Sequence, residues 1–243
     1  MHHHRLSQGV SGTGKSTLAK SVSDRLGFPL IDADDHHPRE NIEKMSRGEA
    51  LNDQDRFPWL GRLRELCIEK LEGEARRRRS GSTAAEEGKV GVVLACSSLK
   101  GVYRRILRGE LEVGPAPESS SAGERSCALR EADGGSSSAP PTYFVWIKGD
   151  KETLRDRMLK RENHFFKAKM LDSQFDALEP PEGEPDVVVV PIEPSTEEQT
   201  DMVLEGLRAI AKSDGRATVF VFLFLFFFIS GAPLIQSRSR GGT

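Results

Sequence analysis

Cysteine is scarce in this chain, and its distribution excludes two classes of protein. Cys67, Cys96 and Cys127 are odd in number and far apart. They form no CxxC pair, metal-ligand spacing or disulfide framework, so reduced thiols in a cytoplasmic setting are the simplest reading. An excess of charge of one sign is lacking too. Against 35 Lys and Arg stand 37 Asp and Glu, a net charge of −2, which argues against a dedicated nucleic-acid binder with its basic footprint. Nothing apolar follows His2-His3-His4, so no secretory signal is visible, and the triplet reads as incidental to a frayed terminus. Strand-forming material is also missing from the first eight residues, Met1-His2-His3-His4-Arg5-Leu6-Ser7-Gln8, where only Leu6 suits a strand core.

That last deficit matters because of what comes next. Gly9-Val10-Ser11-Gly12-Thr13-Gly14-Lys15-Ser16 has the spacing G-x-x-x-x-G-K-[ST] of a nucleotide-phosphate loop. The glycines allow backbone N–H groups to turn inward around an anion. Lys15 supplies a point charge for the β- and γ-phosphates, Ser16 can ligate Mg²⁺, and the following helix aims its positive end at the same place. Such a loop normally follows a buried strand. Here the first strand is defective or missing.

Strands and helices alternate along the rest of the chain, which implies a parallel α/β sheet. Leu18, Val22 and Leu26 form one stripe of a helix stopped by Gly27. Phe28 to Ile31 reads as a short strand delivering Asp32 and Asp34. A helix begins at Pro38 and stops near Gly48, and another runs from Trp59 to Leu71, closed by Gly73. Arg76-Arg77-Arg78-Arg79 and the residues after it read as a solvated linker. Val90 to Ala95 is a strand buried on both faces, and a helix with Val102, Ile106 and Leu107 follows. Residues 112–141, rich in Ser, Gly, Pro and Ala, read as a disordered insertion. Tyr143–Ile147 and Val187–Val190 are strands. A helix with Leu154 and Met158 follows the first, and one with Val203, Leu207 and Ile210 follows the second.

The tail differs. Ala217 to Ser237 carries no charge, and Val219 to Ile229 is uninterrupted Val, Phe, Leu and Ile. A spanning helix needs about 20 apolar residues. The segment reads either as a C-terminal membrane anchor flanked by Arg216, Arg238 and Arg240 or as sequence appended to the fold.

Several blocks are more specific than the phosphate loop. They are Asp32-Ala33-Asp34-Asp35-His36-His37-Pro38; Asn41 to Met45; Leu51-Asn52-Asp53-Gln54-Asp55-Arg56-Phe57-Pro58-Trp59-Leu60; Ala95 to Lys100 with Tyr103-Arg104; and Lys160-Arg161 through His164-Phe165-Phe166 to Gln174-Phe175. On these the chain resembles the gluconate kinases, relatives of shikimate and adenylate kinases. It departs from them at the first strand, at Ser98 in place of the usual alanine, at Asn163 in place of glycine, and in two insertions. The resemblance implies a three-layer P-loop NTPase fold with a central parallel sheet and a helical lid. It divides the chain into a poorly formed terminus 1–8, a kinase domain 9–212 with insertions near 74–88 and 112–141, and an apolar extension 213–243.

The resemblance further implies ATP- and Mg²⁺-dependent phosphorylation of D-gluconate at its 6-hydroxyl, with no nucleic-acid partner, a membrane partner only if 217–237 is an anchor, and a homodimer left open. Residues Gly9, Val10, Ser11, Gly12, Thr13, Gly14, Lys15, Ser16 and Thr17 would cradle the nucleotide, with Ser16 and Asp32 at the metal. Asp34 would orient the attacking hydroxyl. Its bland alternative, shared with Asp32, is a solvated turn. His37, Asp53, Arg56, Lys100, Arg104 and His164 would line the substrate pocket, although Arg56 could instead pair with Asp53 or Asp55, and His37 could cap the Pro38 helix. Trp59 fits the core better than a pocket wall. Arg157 and Arg161, four apart on one helical face, would close over the triphosphate or else remain a charged surface. The competing functions are a kinase for another acceptor, such as shikimate or a nucleoside monophosphate, and a non-catalytic nucleotide binder.

Overall fold

The computed structural model describes residues 14–81, 90–115, 127–132, 140–149, 152–153, 177–213 and 222–228. The elements in chain order are α1 (Lys15–Leu26), β1 (Leu30–Asp32), a 3-10 turn (Ala33–His36), α2 (Arg39–Ser46), α3 (Asp53–Gly81), β2 (Val92–Ala95), α4 (Gly101–Arg108), β3 (Leu111–Pro115), β4 (Cys127–Glu131), β5 (Tyr143–Lys148), β6 (Val187–Pro191), α5 (Thr196–Ser213) and β7 (Phe222–Phe228).

Five strands form one parallel sheet in the order β1-β2-β7-β5-β6. Successive residues of a strand point to opposite faces, and here both faces are buried. Val93, Ala95, Val145 and Ile147 join Leu18 and Val22 of α1 and Val203 and Leu207 of α5 on one side. Val92, Leu94, Phe144 and Trp146 meet Leu60 and Leu63 of α3 and Ile106 and Leu107 of α4 on the other. Helices on both faces of a parallel sheet make the three-layer α/β architecture.

Three sequence expectations are corrected. The helix read as closing at Gly73 continues to Gly81. Among the described residues nothing crowds Gly73, and the pairs Arg76–Glu72 and Arg77–Glu74 favour helix where composition suggested a linker. The stretch 112–141 is not wholly disordered. β3 and β4 pair antiparallel, with Val113 opposite Leu129 and Leu111 opposite Glu131. Leu111 is buried, and Val113, Cys127 and Leu129 pack against the α3–α4 side of the core. The Ser- and Gly-rich surroundings hide this short apolar alternation.

The third correction concerns the tail. Residues 222–228 are neither a membrane helix nor a segment outside the domain. They form β7, hydrogen-bonded between β2 and β5. No helix among the described residues is long and apolar enough to cross a membrane.

Candidate active site

The sheet's carboxyl edge gathers the chemistry, as it does in open α/β folds. β1 ends at Asp32, and the chain turns immediately into the 3-10 turn, with the Asp32 side chain accepting from the Asp34 N–H at 3.1 Å. Because the strand has ended, Asp32 and Asp34 need not face opposite ways. Trp59 locks the turn: its indole N–H donates to the Ala33 carbonyl at 3.2 Å, and its ring is buried in the core, as its apolar stripe suggested.

Gly14 stands at the N-cap of α1 with φ 86°, a left-handed backbone that disfavours any side chain. Ser16 donates its hydroxyl to Asp32 Oδ2 at 3.3 Å, joining the two residues expected at the metal. Lys15 is only 5% exposed, yet no carboxylate forms a salt bridge with it among the described residues. Gly9 to Thr13 lie outside the described residues, as do Arg157, Arg161 and His164. Thr17 is exposed on the first turn of α1.

Burial pushes the Asp34 carboxyl above its ordinary value. Lys15 and Arg56 pull it down, and Asp32 and Asp35 push it further up, for a net rise. His37 stacks on Trp59 with ring centroids 4.0 Å apart, and its Nδ1 lies 3.4 Å from Asn41 Nδ2. Burial, then Arg56, draws its imidazole down to about 4, so it is neutral at pH 7.

Beside this edge lies a cavity of about 460 Å³, bordered by Leu51, Asp53, Gln54, Arg56, Leu99, Lys100, Tyr103 and Ala177. Lys100 Nζ contacts both Asp53 oxygens at 2.7 and 2.8 Å, and Tyr103 donates to Asp53 Oδ1 at 2.5 Å. Burial alone would raise Asp53, but these two hydrogen bonds outweigh it and hold the carboxyl low. Tyr103 is raised, first by burial and then by its bond to Asp53. Tyr103 stood in the sequence only as part of a motif, with no role at the site assigned to it. Its position three residues after Lys100, at the start of α4, is the signal that could have found it.

Arg56 connects the two regions. It borders the cavity, and its charge acts on both Asp34 and His37. Among the described residues its Nε reaches only the Leu51 carbonyl, at 3.4 Å. Neither Asp53 nor Asp55 takes it, because Asp53 is held by Lys100 and Asp55 by Lys44 at 2.6 Å.

Arg104, expected at the substrate, is placed elsewhere. Its side chain is 3% exposed and paired with Glu184 at 2.5 Å, and it also donates to the Glu179 carbonyl at 3.1 Å. Arg108 pairs with the same Glu184 and with Asp186. Arg104 therefore pins the 179–186 segment to α4. Its partners, a backbone carbonyl and a carboxylate, lie 75 and 80 residues away in sequence, which spacing arguments could not reach.

No protein-family model matches the chain. Among curated proteins it is similar to a probable gluconokinase of Schizosaccharomyces pombe, 38% identical over 198 residues, covering 81% of this chain and 83% of that one. It is similar also to the thermoresistant gluconokinase of Escherichia coli K12, 36% identical over 209 residues, covering 86% and 90%. Among solved structures, a gluconokinase from Sinorhizobium meliloti superposes with a TM-score of 0.58 at 31% identity, covering 85% of this chain and 92% of that chain. With relatives this similar along most of their length, the chain belongs to the gluconokinase family.

Proposed function

We propose that the protein transfers the γ-phosphoryl group of ATP to the 6-hydroxyl of D-gluconate, giving ADP and 6-phosphogluconate. The observation that carries this reading is Arg56, a cation lining the cavity whose neighbouring carboxylates are already taken. An acceptor with its own carboxylate satisfies it, through the two parallel hydrogen bonds a guanidinium offers. Asp53, Lys100 and Tyr103 present donors and acceptors to the polyol chain.

At the other end, Asp34 orients the acceptor hydroxyl and takes its proton as the oxygen attacks phosphorus. The raised carboxyl is a stronger base than an ordinary aspartate. Lys15 and the α1 N-terminus hold the phosphates. Ser16 and Asp32, a hydroxyl and a carboxylate already in contact, fit a magnesium ion, which takes few protein oxygens and leaves the rest to phosphate and water. Bound there, the ion would neutralise phosphate charge. Arg157, Arg161 and His164 belong to the lid in this reading; the two arginines would add cations over the transferred group, and His164 would face the acceptor. The substrate role of His37 is weakened by its stacking on Trp59, which makes it a buttress of the Asp34 turn.

A coupled ADP-release assay over gluconate, shikimate and a nucleoside monophosphate tests the acceptor. Turnover with gluconate alone is expected; turnover with shikimate and not gluconate would reject the reading. Arg56→Gln should raise the gluconate KM by roughly 30-fold or more, the cost of removing one side of a desolvated charge pair.

A further inference from the structure

One residue bordering the acceptor cavity keeps a hydrogen-bonding side that no contact described so far uses. Gln54, the second residue of α3, lines the cavity next to Asp53, and the β3–β4 hairpin reaches its side chain. The Cys127 N–H donates to Gln54 Oε1 at 2.9 Å, and the Cys127 thiol donates to the same oxygen at 3.0 Å. We infer that Gln54 is a specificity-determining residue, whose amide N–H groups donate to one hydroxyl of the polyol acceptor. The inference rests on the acceptor proposed above and adds a contact to it.

Chemistry settles which end of the carboxamide faces which way. A backbone N–H can only donate, so the atom turned toward Cys127 is the oxygen and not the nitrogen. Cys127 is itself held in place. It opens β4, which pairs with β3 through Val113 opposite Leu129, and both Cys127 and Leu129 pack against the α3–α4 side of the core. What remains to Gln54 is Nε2, with two N–H donors. Among the described residues nothing accepts from it. The hairpin thus turns an amide that could flip freely into a donor of set orientation.

A hydroxyl is the group that fits this donor. Arg56 answers the acceptor's carboxylate, so the charge at that end is already met. Along the polyol chain each hydroxyl gives one proton and has lone pairs left over. Asp53, which lines the same cavity, can take a proton, and the neighbouring neutral amide can fill a lone pair without adding charge. An acceptor with hydrogen in place of that hydroxyl leaves the amide unpaired, which is how polar sites reject deoxygenated analogues. Gln54 is exposed, so water replaces part of the lost contact. The discrimination is therefore that of an ordinary neutral hydrogen bond, not of a buried one.

Steady-state kinetics of the full chain test this, with gluconate and with a set of gluconates each lacking one secondary hydroxyl. Gln54→Met keeps the side chain's length and removes its donors. It should raise the gluconate KM about 3- to 10-fold, while kcat and the KM for ATP stay within about twofold of the parent. With one deoxygenated analogue, variant and parent should show the same KM, because the substrate no longer offers the contact. Gln54→Ala should repeat the pattern, and unchanged melting of either variant separates a lost contact from a lost fold. An unchanged gluconate KM would overturn the proposal. So would a rise of equal size with gluconate and every analogue, which marks displacement of the α3 start and not a contact with one hydroxyl. A parent that turns over no gluconate at all defeats the proposed acceptor, and this contact falls with it.

Discussion

At residue scale the site trades stability for poise, and His37 makes the exchange measurable. Its imidazole falls from 6.5 to about 4 in the fold, so the folded state prefers it neutral. That preference contributes its full stability above pH 6.5. Between 6.5 and 4 the unfolded chain takes up a proton that the folded chain refuses, and stability drains away, by up to about 3 kcal/mol. His37→Gln should lose correspondingly less across that window. Urea midpoints of both proteins at pH 7, 5.5 and 4.5 check it, and parallel curves would refute it. A second residue shows a local rule broken without visible return. Ser98 is 0% exposed, and its hydroxyl has no hydrogen-bond partner among the described residues, at the position where the resemblance leads one to expect alanine. A buried polar group left unpaired costs about 1–3 kcal/mol. Ser98→Ala should therefore raise Tm by about 2–4 °C for each kcal/mol relieved in a chain of this size, with kcat unchanged. An unchanged or lower Tm in a calorimetric scan would contradict this.

At the scale of elements, legibility followed periodicity. The stripe Leu18–Val22 and the runs at Val92–Ala95 and Tyr143–Lys148 announce α1, β2 and β5 because each buries a face that its own spacing defines. The β3–β4 hairpin was hidden because only a few apolar positions, Leu111, Val113, Cys127 and Leu129, carry it, amid residues that favour disorder. β7 was legible as apolar but not as a strand. Length alone set it beside a membrane span, and only the opening between β2 and β5 shows where it belongs. The site divides in the same way. Ser16 meets Asp32 and Lys100 meets Asp53, residues of compact blocks that the sequence sets out, whereas Arg104 depends on an acid from a distant segment. That difference is testable. Removing one partner of a buried ion pair costs about 3–5 kcal/mol, so Arg104→Gln should unfold at markedly lower urea. If the residue ties α4 to residues 179–186 and does not bind acceptor, the gluconate KM of the folded fraction should change less than about threefold. A large rise in KM with unchanged stability would return Arg104 to the pocket.

For the whole molecule, the cost of function is concentrated at the carboxyl edge of the sheet. Elsewhere the layers bury apolar side chains, and the buried cation Arg104 has its carboxylate. Lys15 lies almost entirely inside the protein without a salt-bridge partner among the described residues, and Asp34 lies inside with its carboxyl pushed up. A buried charge without a hydrogen-bonded counter-ion is costly, and replacing it with an apolar side chain of similar length relieves that cost. Nucleotide reverses the balance, because a ligand that binds only the folded state stabilises it by mass action, by about 2.7 kcal/mol at a hundred times its Kd. Two opposite shifts should then appear in one variant. Lys15→Met should melt a few degrees above the parent without ligand. It should also lose the upward shift that MgATP gives the parent, so that at saturating nucleotide the order of the two proteins inverts. Thermal scans of both, with and without MgATP, decide it. If Lys15→Met keeps the parent's nucleotide shift, the phosphates are not held by this ammonium.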